Sequence, residues 1–253
     1  MENKMNIRVS YKPFDNKTQD GFLGYATVVF DDSYELNSIR ITEGAYGSLK
    51  VQLPQFDVPA RNEKKEFIRD ENGNVKSEWK DVLRPVNEDV KGYLISIIKN
   101  GVKDTIANGD PDKKGYTYEM NGNFQITKIY TTPMKQDEKT KPVGLSTVTF
   151  GDAFVLERLV IRLNKDGELT VSSPQRKSDK KENGVPVLNE NGENVKEYTQ
   201  LFHPITTEAY SKLLSCAVDS LNRAIDFQKD KTNTQGQFAT NDSIIPFEDN
   251  NRR

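Results

Sequence analysis

Between Leu49 and Leu53 the chain alternates strictly. Leu49, Val51 and Leu53 fall on one side, and Lys50 and Gln52 fall on the other. A strand with one wet face has this period of two. Upstream, Tyr25–Phe30 and Leu36–Ile41 are short β-prone runs separated by the turn-forming Asp31, Asp32 and Ser33. Downstream, within an arm of about Phe56–Lys80, the polar stretch Phe67–Trp79 centres on Asn72-Gly73. That pair suits a two-residue type I′ hairpin because both positions tolerate positive φ, so a β-arm is expected. The period then changes. Val90, Leu94, Ile97 and Ile98 form one helical stripe, with Asn87 placed to cap it, Glu88 and Asp89 in its first turn, and Gly101 as the expected stop.

The same succession recurs. Gly24–Gln55 aligns on Gly144–Gln175 without a gap, with twelve identities in thirty-two positions that include Gly24/Gly144, Phe30/Phe150, Leu36/Leu156 and Pro54/Pro174. After the loss of one residue the match resumes, and Pro85 stands opposite Pro204. The second arm, Arg176–Glu197, carries its own Asn191-Gly192. Thr206 sits at the second N-cap, ahead of a stripe of Leu213, Leu214, Ala217, Leu221 and Ile225. Self-similarity of this length is a duplicated domain rather than a solenoid repeat. The expected fold is α+β. It has two tandem units, each an antiparallel β-meander with a long β-hairpin and a C-terminal helix, paired as an intramolecular pseudo-dimer. The expected boundaries are 1–102 for the first unit, 103–123 for a linker, 124–227 for the second unit and 228–253 for a disordered tail.

Ile39–Pro54 reads IRITEGAYGSLKVQLP, and a hairpin and Arg84–Asn87 (RPVN) follow before a helix; the second unit has FHPIT at Phe202–Thr206. These strings resemble the stage V sporulation protein G (SpoVG) family, whose pattern is a strand pair followed by an H-P-I signature ahead of a helix. The resemblance covers roughly residues 5–102 and 124–226. It implies units that associate through their sheets, so that fusion turns an intermolecular dimer into an intramolecular one, and it implies nucleic-acid binding. The family's basic residues after the helix have no counterpart here.

Composition narrows the function. The 253 residues carry 36 Lys+Arg against 38 Asp+Glu, a formal net charge of −2, so any basic surface must come from segregation in space. No run is long and apolar enough for a membrane span and the N-terminus has no secretory h-region, so a cytoplasmic protein is expected. Cys216 is the single cysteine, which excludes a disulfide framework or a Cys-based zinc site. The single histidine, His203, sits beside Pro204 at a strand-to-helix corner and reads as a packing or capping residue. Asp31-Asp32 and Asp70–Gly73 read as turns without the ligand spacing of a calcium loop. No catalytic constellation emerges, so the expectation is a non-enzymatic chain without cofactor or metal.

Basic residues interleaved with aromatics are the candidate binding groups. In the first arm they are Lys64, Lys65, Arg69, Lys76 and Lys80 beside Trp79. In the second they are Arg176, Lys177, Lys180, Lys181 and Lys196 beside Tyr198. Arms of this kind can follow a phosphate backbone while aromatics stack on bases. Arg40, Arg158 and Arg162, on or beside strands, are a further candidate surface. In the tail, Asp242, Ile245, Pro246 and Phe247 resemble the acid-flanked tip of bacterial single-stranded-DNA-binding proteins, which implies recruitment of a replication or repair partner. The expected function is binding of nucleic acid, DNA rather than RNA and single-stranded. The alternatives are a regulatory module that binds a protein or small ligand between the units, and a bacterial or phage regulator acting on duplex DNA.

Overall fold

The computed structural model describes residues 3–14, 20–110, 113–134, 142–182 and 185–238. The first half has β1 (Lys4–Pro13), β2 (Phe22–Phe30), β3 (Tyr34–Glu43) and β4 (Leu49–Gln52), an arm built on β5 (Gln55–Pro59) and β6 (Ser77–Asp81), β7 (Leu83–Pro85), α1 (Glu88–Asn108) and β8 (Tyr116–Asn121). The second half has β9 (Ile126–Pro133), β10 (Pro142–Phe150), β11 (Phe154–Leu163) and β12 (Leu169–Ser172). Its arm uses β13 (Gln175–Asp179), β14 (Lys181–Glu182), β15 (Val185–Pro186) and β16 (Lys196–Gln200), followed by β17 (Phe202–Pro204) and α2 (Thr207–Phe238). The order from β1 to α1 is similar to that from β9 to α2, with β8 between them. The fold is therefore strand-rich α+β with antiparallel sheets.

Each sheet borrows a strand from the other half. In the first sheet the order is β17-β3-β2-β1-β8, and β4 shares with β17 the same edge of β3. Phe202 pairs with Leu36 and Pro204 with Tyr34, while Arg40–Glu43 pair with β4. The second sheet repeats this: β11 pairs with β12 at one end, and at the other with β7, Leu83 opposite Leu156 and Pro85 opposite Phe154. The change of partner falls where the strand is bulged. The register shifts between Ala26 and Val28 and between Ser146 and Val148, and the residues across from them, Ser38 and Arg158, both sit at φ 62°. A bulge bends its strand and sharpens the twist, which frees the far end of the edge for a new neighbour.

The exchange joins the two halves around one core. Phe124 stacks on Phe30 at 4.2 Å and on Phe150 at 4.5 Å, and Tyr34, Phe154 and Phe202 close around it. All six rings are buried and belong to one apolar cluster that runs through both sheets and both helices. Offset and tilted aromatic contacts of this kind add about 0.5–1.5 kcal/mol per pair beyond the area they bury.

Both helices begin as the sequence pattern predicts: the Val90 amide donates to the Asn87 side chain at 2.9 Å, and the Ala209 amide to the Thr206 hydroxyl at 3.1 Å. Their ends differ from expectation. α1 continues past Gly101 to Asn108 and ends at Gly109, whose N–H donates to the Thr105 carbonyl at 2.9 Å. Gly101 is instead a contact point, since a Cβ there would lie 2.6 Å from the Val9 Cβ. The small Ser220 occupies the matching place on α2, where its hydroxyl donates to the Ile129 carbonyl at 3.3 Å. The expected linker 103–123 is likewise replaced by the end of α1 and by β8, which covers the edge of β1 from Met120 opposite Met5 to Tyr116 opposite Val9. α2 runs to Phe238, into the stretch expected to be disordered from residue 228. No proline interrupts that stretch, and once a helix is nucleated each added residue gains a hydrogen bond.

The tight approach at Gly101 gives a paired prediction. Gly101→Ala should lower stability by about 1–3 kcal/mol through overpacking against Val9. Gly92→Ala, exposed on the same helix with nothing within 4 Å of its added carbon, should raise it by about 0.5–1 kcal/mol. Thermal unfolding of the two variants reads the difference in sign.

The arms are branched rather than simple hairpins. In the first, the Ala60 N–H donates to Lys76 at 2.7 Å, Lys76 to Ile68 at 2.8 Å and Ile68 back to Ala60 at 2.9 Å. The second arm closes the same ring through Lys180, Val195 and Val187. Two small loops thus spring from each stem. The tips that carry Asn72-Gly73 and Asn191-Gly192 are not type I′ turns. Asp70 pairs with Asn74 around a three-residue loop in which only Gly73 (φ 82°) is left-handed, and Asn189–Glu193 repeats this with Gly192 (φ 77°). Here the polar side chain decides the turn: the Asp70 carboxylate accepts the amides of Asn72 and Asn74, each at 2.9 Å. The Asn74 N–H foremost holds the Asp70 carboxyl below its ordinary 3.8. Among the described residues no helix is long and apolar enough to cross a membrane.

Candidate functional site

The outward side of the first sheet carries a transverse row. Lys12 on β1 pairs with Tyr25 on β2, Tyr25 with Arg40 on β3, and Arg40 with Gln52 on β4. Residues directly opposite across strands point to one face, so the four side chains stand side by side over about 14 Å, three strand spacings. The inward neighbours Tyr11, Ala26, Ile39 and Ile41 are buried, which fixes this register.

Strand exchange brings both arms to the end of this row. A cleft of about 330 Å³ is lined by Tyr25, Arg40 and Gln52 of the sheet, Trp79 of the first arm, and Arg176 and Leu201 of the second. Trp79 is 66 % exposed. The Arg176 guanidinium lies 5.6 Å from the centre of the Tyr25 ring. Arg40 pairs with Asp20 and packs 4.7 Å over the Phe22 ring. The side-chain amides of Gln52 and Gln55 lie within 3.5 Å of each other, and Gln55 is anchored to Asp81 at 2.8 Å. A second cleft of about 340 Å³ shares Tyr25 and Ser38 with the first and adds Lys12, Asp110, Lys113 and Thr199. Together the two clefts bring the Tyr25 and Trp79 rings and four cationic side chains, Lys12, Arg40, Lys113 and Arg176, to this face, with the carboxylates of Asp20 and Asp110 among them.

The other half lacks this chemistry. Its matching row is Thr132, Leu145, Val160 and Ser172, without a charge. Net charge near zero therefore coexists with a cationic row on one face, because the two sheets differ at these outward positions while their inward ones are apolar in both.

Of the residues singled out in the sequence, Arg40, Trp79 and Arg176 meet in this cleft. The others do not join them. Lys80 pairs with Glu78 at 3.1 Å and Lys180 with Glu182 at 3.0 Å, and Lys196 pairs with Asp179. Arg69 donates to the Gly73 carbonyl at 2.7 Å and so closes its own loop. Lys64, Lys65 and Lys76 are exposed on the first arm, with Lys65 in the left-handed position (φ 66°) of the Asn62–Glu66 loop. Lys177 lies 5.9 Å from the exposed Tyr198 ring. Arg158 reaches from the second sheet to the first arm, 5.5 Å from the Phe56 ring and 3.4 Å from the Asp57 carbonyl, and so holds that arm in place. Arg162 is exposed on the second sheet, opposite Thr170. Lys181 lies in β14. Asp242, Ile245, Pro246 and Phe247 are outside the described residues.

His203 pairs in register with Glu35 across the exchanged strand, its Nε2 3.7 Å from the carboxylate and its buried Nδ1 without a hydrogen-bond partner. Among the described residues no group of three or more His, Cys, Asp or Glu could hold a metal. Tyr25, Lys12, Gln52 and Asp20 belong to the site and were not among the sequence candidates. The signal that points to the first three is their outward parity on strands whose alternate residues are apolar.

No protein-family model matches the chain, and no curated protein or solved structure is significantly similar to it.

Proposed function

We propose that the chain is an intramolecular pseudo-dimer of two SpoVG-like units that binds single-stranded nucleic acid across the outward face of its first sheet, without catalysing a reaction. The observation that carries this reading is the meeting of Arg40, Arg176, Tyr25 and Trp79 in one open cleft. Guanidinium groups pair with phosphate oxygens, and flat aromatic faces stack on unpaired bases. Those bases must be free of a duplex, which favours a single strand over double-stranded DNA. The reciprocal exchange of β7 and β17 supports the pseudo-dimer, since each unit completes the other's sheet. Asp20 tempers the site: a phosphate must displace it from Arg40.

The test is fluorescence anisotropy of a labelled oligothymidylate across a salt series. Engagement of about four phosphates by Lys12, Arg40, Lys113 and Arg176 predicts a slope of log K against log salt of roughly −3. Absence of binding at low salt would remove this function.

A second reading has one observation in its favour. A concavity of about 330 Å³ between the halves is of the size that takes a small ligand. The same guanidinium and aromatic groups would then hold a mononucleotide or similar organic anion. Competition of a nucleoside monophosphate with the oligonucleotide at equal concentration separates the two.

A further inference from the structure

The β3–β4 hairpin, which supplies Arg40 and Gln52 to the cleft, ends in Tyr46. The Tyr46 side chain is fully exposed, at 107 % of its reference area, and takes part in no ring or hydrogen-bond contact among the described residues. Its backbone sits in the left-handed region at φ 56°, ψ 33°. With Gly47 at φ 71° and the Ser48 N–H donating to the Ala45 carbonyl at 3.2 Å, it forms a type I′ turn. The first central position of that turn is suited to Asn, Asp or Gly, and a tyrosine there holds its Cβ against the following carbonyl.

The second half does without this arrangement. Asp166 stands at the matching tip and is not left-handed; Gly167 alone is, at φ 81°. The strained, fully exposed ring thus occurs only on the half whose outward face carries the cationic row. Between ring and cleft lies Lys50, exposed and on the same strand face as Gln52. Lys50 is about 7 Å from Gln52 along the strand, and Tyr46 is at most about 20 Å away.

We propose that Tyr46 is a second stacking station for the same single strand. A strand leaving the Tyr25–Trp79 cleft passes Lys50, which takes a phosphate, and a base then stacks on the Tyr46 ring. This rests on the single-strand reading above and extends its footprint along one hairpin. The local strain is what holds the ring out from the fold rather than folded back on its own strand.

The experiment compares oligothymidylates of about four and about sixteen nucleotides, the span over which single-strand-binding modules make their contacts. Tyr46→Asn gives the turn its preferred residue, so the melting temperature should rise. Its affinity for the longer oligonucleotide should fall about tenfold, while that for the shorter one stays unchanged. Tyr46→Phe keeps the stacking face and should match the unaltered protein on both. Unchanged binding of the longer strand by Tyr46→Asn would overturn the proposal. So would an equal loss on both lengths, which would make the tip a support of the cleft. If the unaltered protein bound neither length, the single-strand reading would fall first and this extension with it.

Discussion

Replacing Phe124 by Ala should cost the fold about 3–5 kcal/mol, the range for truncating a buried aromatic. Phe124 is 3 % exposed and lies in the segment between β8 and β9, so it belongs to neither sheet and packs against rings from both. Removing it leaves Phe30 and Phe150 facing a void that rigid sheets on either side cannot close, because exchanged strands tie each sheet to the other. Phe67→Ala removes a ring that is 44 % exposed on the first arm and lies under the Arg61 guanidinium at 4.1 Å, and should cost less than about 1 kcal/mol. Chemical denaturation of both variants tests the contrast. A small loss at Phe124 would mean that the two halves are stable independently. The same reasoning predicts that residues 1–123 expressed alone do not give a stable monomer, since β3 then lacks β17 and the apolar face of β7 has no β11 to meet.

Arg176→Glu should weaken single-strand binding about 100-fold, and Arg176→Ala about tenfold, in line with roughly 1–3 kcal/mol for a well-placed guanidinium contact. Among the described residues no carboxylate pairs with Arg176, which lies over the Tyr25 ring. Its positive charge is therefore available to a ligand without the exchange that Arg40 must make with Asp20. Arg162→Glu on the outward side of the second sheet should leave affinity nearly unchanged, as that face lacks the row of Lys12, Tyr25, Arg40 and Gln52. Equal losses at Arg176 and Arg162 would point to diffuse attraction over the whole surface instead of a site. The measurement is the same anisotropy titration, at one low salt concentration.

Much of the architecture is written locally. The alternation at Leu49–Leu53, the helical stripe from Val90 to Ile98 and the N-caps at Asn87 and Thr206 each depend on residues within a few positions of one another. The match of Gly24–Gln55 to Gly144–Gln175 is legible too, because its identities include inward-facing residues such as Phe30/Phe150 and Leu36/Leu156. What local pattern does not carry is partner choice. Leu83–Pro85 and Phe202–Pro204 are three-residue strands whose identity comes from pairing with β11 and β3, about 70 residues away in one case and more than 160 in the other. β1 alternates at Met5, Ile7, Val9 and Tyr11 and pairs with the next strand, β2, but its other partner, β8, lies more than 100 residues along the chain and no local pattern announces it. Gly101 looks like a helix stop because glycine usually is one; only the packing against Val9 reveals its other use.

The site divides along the same line. Lysines on the arms stand out in sequence as a basic cluster, yet Lys80, Lys180 and Lys196 are paired with acids two positions away or directly opposite. Arg40, Trp79 and Arg176 are scattered over 136 residues and look unrelated until strand exchange sets the bases of both arms beside the first sheet. Tyr25 reads as one β-prone residue among several, and its role emerges from its place between two clefts.

Trp79 is the single tryptophan of the chain and lines the cleft, so its intrinsic fluorescence reports on that place alone. Titration with unlabelled oligothymidylate should quench it in a saturable manner at one strand per chain, with the Arg176→Glu variant requiring far higher concentrations. Binding detected by anisotropy while Trp79 emission stays unchanged would put the nucleic acid elsewhere on the molecule and contradict the account.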